Sequence, residues 1–176
     1  MIKRRVAPIG AAGVAALTLL LVPASATAQS PAGVAPAGNQ QVISANPFLL
    51  MYKWFNVEYE RRHKEATTWG ASASLLPFDD ADYGNVAVFY RYYPQGRALE
   101  GFYVGGRTGI HRVSAGGESG AFGGVGFELG YDWLLGNQKN FSIGLGAGAT
   151  RLFGGDLDGV ALTVPTIRLV NIGWSF

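Results

Sequence analysis

Along residues 122–135 apolar side chains alternate with small or acidic ones. Val125, Phe127, Leu129, Tyr131, Trp133 and Leu135 share one parity, and Gly124, Gly126, Glu128, Gly130 and Asp132 share the other. Successive side chains on a strand point to opposite faces, so the segment predicts a strand with one apolar face and one of glycine and carboxylate. The pattern recurs. In residues 141–153, Phe141, Ile143, Leu145, Ala147 and Ala149 stand against Ser142, Gly144, Gly146, Gly148 and Thr150. In 101–113, Phe102, Val104, Thr108 and Ile110 stand against Tyr103, Gly105, Arg107, Gly109 and His111. Residues 85–93 set Val86, Val88, Tyr90 and Tyr92 against Ala87, Phe89, Arg91 and Tyr93, and 67–75 set Trp69, Ala71, Ala73 and Leu75 against Thr68, Gly70, Ser72 and Ser74. The end of the chain repeats it, with Val170, Ile172, Trp174 and Phe176 opposite Asn171, Gly173 and Ser175. No window of helical length carries a 3.6-residue apolar period free of glycine.

Two architectures accept such alternation, with opposite polarity. A water-soluble sandwich would turn the apolar faces inward and leave glycine outside, where it weakens strands and packs nothing. A membrane barrel turns the apolar faces to lipid. Three features favour the barrel: a secretory signal, an aromatic last residue, and aromatics near strand ends (Tyr90, Tyr92, Tyr131, Trp133, Trp174 and Phe176) where interfacial girdles are expected.

Connection lengths supply topology. Short ones are expected near 61–66, 94–99 and 136–140, and longer ones rich in Gly and Asp near 77–84, 114–121 and 154–160, matching the short periplasmic turns and longer outer loops of outer-membrane barrels. With Phe176 placed in the periplasm, residues 41–63 must supply an upward strand near 42–50, a tip around 51–55 and a downward strand through Val57, Glu58, Tyr59 and Glu60; the same residues also suit one long strand. The first option gives an all-β, eight-stranded antiparallel up-and-down transmembrane β-barrel over residues 42–176.

Residues 1–28 predict a signal peptide: Lys3, Arg4 and Arg5 precede an apolar run, then Pro23 and small residues with an Ala-x-Ala exit near Ala28. Residues 29–41, rich in Pro, Ala and Gly, predict a flexible leader. Cleavage changes the charge, because removing those three cations leaves 11 basic against 12 acidic residues, about −1 instead of +2. No nucleic-acid partner is expected from such a balance. Cysteine is absent and His63 and His111 lack ligand spacing, so neither a metal nor another cofactor is expected.

Several runs carry a resemblance: Asn46-Pro47-Phe48-Leu49, the stretch from Phe55 through Glu58 to Arg61, Tyr90-Arg91-Tyr92-Tyr93-Pro94 with the following Ala98-Leu99-Glu100-Gly101, and Glu128-Leu129-Gly130-Tyr131. Over residues 46–176 the chain resembles a family of small bacterial outer-membrane β-barrel proteins of unknown function. The resemblance implies an eight-stranded barrel like that of outer-membrane protein A, and no catalytic residues. In the C-terminal assembly signal, Asn171 stands where glycine is common, with Gly173 two residues later.

Parity places Glu58, Glu60, Arg91, Arg107, His111, Glu128 and Asp132 inside. An eight-stranded lumen is just wide enough for its own side chains, so these groups must pair, with Arg91 and Arg107 set against Glu58, Glu128 and Asp132. The same width argues against the alternative of a small-solute pore. Arg112, Arg151 and Arg168 fall on the lipid-facing parity near outward strand ends, as candidates for lipopolysaccharide contact. A second alternative is a lipid A-modifying enzyme with a His-x-Ser pair, but His111 and Ser114 are three apart and fall on opposite faces of a regular strand. The expected protein is therefore non-enzymatic and monomeric, with a structural or surface-interaction role. Its expected partners are outer-membrane lipid, lipopolysaccharide and, during insertion, the barrel-assembly machinery.

Overall fold

The computed structural model describes residues 38–77, 81–115, 118–154 and 162–176. The signal peptide, most of the leader and the tips of the three expected outer loops lie outside the described residues. Eight strands form a closed antiparallel barrel, each paired with its neighbours in sequence and the last with the first. They are β1 (Gln41–Ala45), β2 (Phe55–Lys64), β3 (Thr67–Pro77), β4 (Ala81–Tyr92), β5 (Gly101–Ala115), β6 (Glu118–Leu135), β7 (Phe141–Phe153) and β8 (Thr163–Ser175).

The first hairpin is two strands, but residues 47–50 do not extend the first of them. They form a short helix, α1 (Pro47–Leu50), because the Asn46 side chain accepts from the Phe48 and Leu49 amides and Pro47 follows it in the first turn. β1 is correspondingly short and meets β8 only from Val42–Ser175 to Ala45–Ile172. Gln41, expected in the leader, is the first residue of β1.

Connections differ from expectation at both ends. At the end carrying Gln41 and Phe176, the terminal end, residues 93–100 form the longest turn. It folds over the lumen: Tyr93, Ala98 and Leu99 are buried, the Tyr93 amide donates to the Ala66 carbonyl at 2.8 Å and the Ala98 amide to Glu65 at 2.7 Å. At the opposite, distal end, the segments expected as loops at 77–84 and 114–121 are largely strand. Asp82 faces Ser114 and Ala115 faces Glu118 in continuous ladders, since backbone groups that can pair do so.

The faces are inverted relative to a soluble protein. Val86, Val88, Ile110, Val125, Phe127 and Leu129 are exposed, whereas Glu58, Glu60, Arg91, Glu128 and Asp132 are buried. Tyr90, Tyr92, Tyr131, Trp133, Trp174 and Phe176 all lie exposed on the outer face toward the terminal end, with the Tyr131 and Trp133 rings 4.6 Å apart. An apolar outer band around a charged interior is the organisation of a barrel set in a membrane.

Candidate functional site: the lumen

Arg91 anchors the interior. It projects inward from β4 with no exposed surface. Its Nε donates to Glu128 Oε1 at 2.6 Å, Nη1 donates to Glu58 Oε1 at 2.9 Å and also to Glu60, and Nη2 donates to Glu58 Oε2 at 3.1 Å. One planar cation thus joins strands β2, β4 and β6. Its guanidinium also stacks over the rings of Phe89 and Tyr103, with 4.0 and 4.5 Å to the centroids. Glu60 is further held by the hydroxyls of Thr68 (2.5 Å) and Tyr93 (2.8 Å), and the Tyr93 oxygen also lies 2.9 Å from Asp132 Oδ2. Arg107 reaches Glu128 at 3.3 Å and Ser72 at 3.1 Å.

Glycine makes this density fit. A Cβ at Gly130 would overlap the Tyr103 ring and the Leu145 carbonyl, and one at Gly144 would overlap the Arg168 guanidinium. Large side chains from one strand lie over bare backbone on the next.

Arg168 corrects the expectation of a lipid-facing, lipopolysaccharide-contacting residue. It is buried in the lumen, with Nη2 2.9 Å from Glu58 Oε1 and Nη1 donating to Asp132. The reason is a bulge. Gly144 pairs with Asn171 but Gly146 pairs with Arg168, so Leu169 and Val170 together oppose Leu145 and the parity of β8 reverses beyond them. Asp132 therefore pairs with Arg168 and Tyr93, not with Arg91 or Arg107. Arg112 and Arg151 remain exposed on the outer face.

His111 does project inward, and its Nδ1 lies 2.7 Å from the Tyr83 hydroxyl. β5 keeps an unbroken register with β6 from Gly101 to Ala115 and with β4 from Val104 to Ala115, so no bulge brings Ser114 to the face His111 occupies. His111 and Ser114 therefore lie on opposite faces, unlike the His-x-Ser pair of a lipid A-modifying enzyme.

Distal to the Arg/Glu cluster the lumen opens into a cavity of about 460 Å³. Its floor includes Glu58, Arg107, Glu128 and Arg168, and its walls include Trp54, Tyr83, Val113 and Leu152. Sequence parity gave no sign of it. The lining mixes small residues such as Ser72 and Ser74 with large ones such as Trp54, Tyr83 and Leu152, and only their summed volume against the barrel width reveals the space.

No family model and no curated protein matches the chain. Among solved structures it is similar to the outer membrane protein Ail of Yersinia pestis in a phospholipid bilayer nanodisc, at 16% identity over 78% of this chain and 99% of that one, with a TM-score of 0.46. The crystal structure of Ail, the attachment invasion locus protein of Yersinia pestis, gives 16% identity, coverage of 79% and 99%, and a TM-score of 0.42. The barrel assignment rests on the strand ladder itself.

Proposed function

We propose that this protein is an outer-membrane β-barrel with a structural or surface-interaction role, non-enzymatic, its lumen closed to solutes by the ionic plug. One observation carries the reading: fully buried Arg91 is bonded across the barrel to Glu58, Glu60 and Glu128, immediately above the turn that folds over the terminal mouth. A conduit needs groups that bind weakly enough to release a passing ion, whereas here every cation of the plug is held by carboxylates. In this setting the terminal end is periplasmic. Arg112 and Arg151 then lie toward the outer edge of the apolar band, where a cation reaches lipid phosphate at small cost. The test is planar-bilayer recording together with heat-dependent gel mobility. A folded, heat-modifiable protein without defined conductance steps is expected; reproducible single-channel steps would overturn the plugged lumen.

A further inference from the structure

We infer that the terminal end of β2 carries a headgroup site for an anionic phospholipid of the adjoining leaflet, with Arg61 and Lys64 as the two cations that hold its phosphate. The inference rests on the membrane setting proposed above, in which the terminal end is periplasmic.

A bulge builds the site. Along β2 the inward parity runs through Glu58 and Glu60 to Arg62, whose Nη2 donates to the Ala98 carbonyl of the turn over the lumen at 3.2 Å. In a regular strand Lys64 would continue that parity. The register instead steps from Arg62–Thr68 to Lys64–Thr67, which leaves His63 as an extra residue. Lys64 therefore takes the outward parity, on the rung of exposed Tyr92. Arg61 stands two rungs away on the same face, on the rung of exposed Trp69 and Tyr90. Two rungs are about 7 Å, close enough for the ends of two long side chains to converge on one phosphate. The His63 ring lies on the same outer wall, edge-on to Tyr90 with the centroids 6.4 Å apart.

Charge names the occupant. Arg61 and Lys64 are exposed and join no ion pair or side-chain hydrogen bond among the described residues, whereas Lys139, at the same end, bonds Glu100 at 2.6 Å. Glu65 in the following turn is exposed and offsets one of the two charges, so a net cation remains to favour a headgroup that is anionic overall above a zwitterionic one. Position favours a lipid over a dissolved polyanion. The cations project from the wall beside outward Trp69, Tyr90 and Tyr92, where headgroups meet an aromatic girdle, and not into the mouth that the 93–100 turn covers.

The experiment incubates the full chain, refolded in dodecylmaltoside, with equal amounts of phosphatidylglycerol and phosphatidylcholine of the same acyl chains and reads the retained lipid by native mass spectrometry. Retention of phosphatidylglycerol in preference to phosphatidylcholine is expected. Arg61→Gln and Lys64→Gln should each lower that preference about fivefold, and the double variant about thirtyfold, with the heat-dependent gel shift kept because both side chains are exposed. Arg61→Lys should keep the preference. Arg97→Gln, which removes a cation of the lumen turn at the same end, should leave it unchanged; an equal loss there would reduce the site to general charge and overturn it. Equal retention of the two lipids by a native chain that still shows the gel shift would overturn the site and leave the membrane reading standing, and so would a preference untouched in the double variant. Displacement of phosphatidylglycerol by equimolar glycerol 3-phosphate would overturn the lipid occupant in favour of a soluble anion.

Discussion

The two halves of the lumen are lined by the same strands and yet are built in opposite ways. In the terminal half, Phe89, Arg91 and Tyr103 are buried against glycine-bearing backbone, and the polar groups of the plug meet side chains from four strands. In the distal half small residues such as Ser72, Ser74 and Thr150 stand among Tyr83, His111 and Leu152, and the space they leave together is a cavity. The difference teaches that inside a barrel of fixed width, packing is decided level by level by how much side-chain volume each ring of strands delivers. Charge follows volume: where the interior is full, three arginines are shared among four carboxylates, and where it is not, space remains.

The comparison breaks most severely at Arg91. Replacing it by Met leaves Glu58, Glu60 and Glu128 facing one another with three fewer donors among them, and a loss of about 3–5 kcal/mol is expected. Urea titration of the refolded protein in detergent measures it, and a midpoint unchanged from the native chain would mean that the plug does not stabilise the barrel. A smaller contrast comes from adding volume to each half. Gly130→Val drives methyl groups against the Tyr103 ring and the Leu145 carbonyl and should cost about 1–3 kcal/mol. Val113→Leu, which grows into the cavity, should stay within about 0.5 kcal/mol. Equal losses from the two would erase the distinction between the halves. The smallest effect is expected from deleting Val170. Without it Gly144–Asn171, Leu145–Leu169 and Gly146–Arg168 pair in regular register with Arg168 still inside, so stability should change by less than about 1 kcal/mol. Loss of folding on this deletion would show that the bulge does more than deliver Arg168.

Most of the architecture is legible in the chain because strand parity is a local signal: Arg107, His111, Glu128 and Asp132 each share a face with glycine on their own strand, and Glu58, Glu60 and Arg91 alternate with outward apolar or aromatic residues. Arg168 departs from its expected face because parity cannot reveal one extra residue inside a strand, and Leu169 and Val170 are both good strand residues. Helix α1 had a readable cue in Asn46-Pro47, overridden by the apolar run that follows it. The distal extension of β5 and β6 was hidden because Gly116, Gly117 and Gly120 look like loop composition, while pairing of the flanking residues depends on the partner strand. The cavity had no sequence signal at all, being a sum over strands.

The length of the fifth and sixth strands has a practical side. A tilted strand crosses a bilayer in about 9–11 residues, whereas these two pair with each other over 15, which leaves roughly four to six residues, on the order of 13–20 Å of ribbon, beyond a bilayer's thickness. The two arms are held together by backbone pairing as far as Ala115 and Glu118, so a peptide epitope grafted between them would be displayed to antibodies without perturbing the walls below.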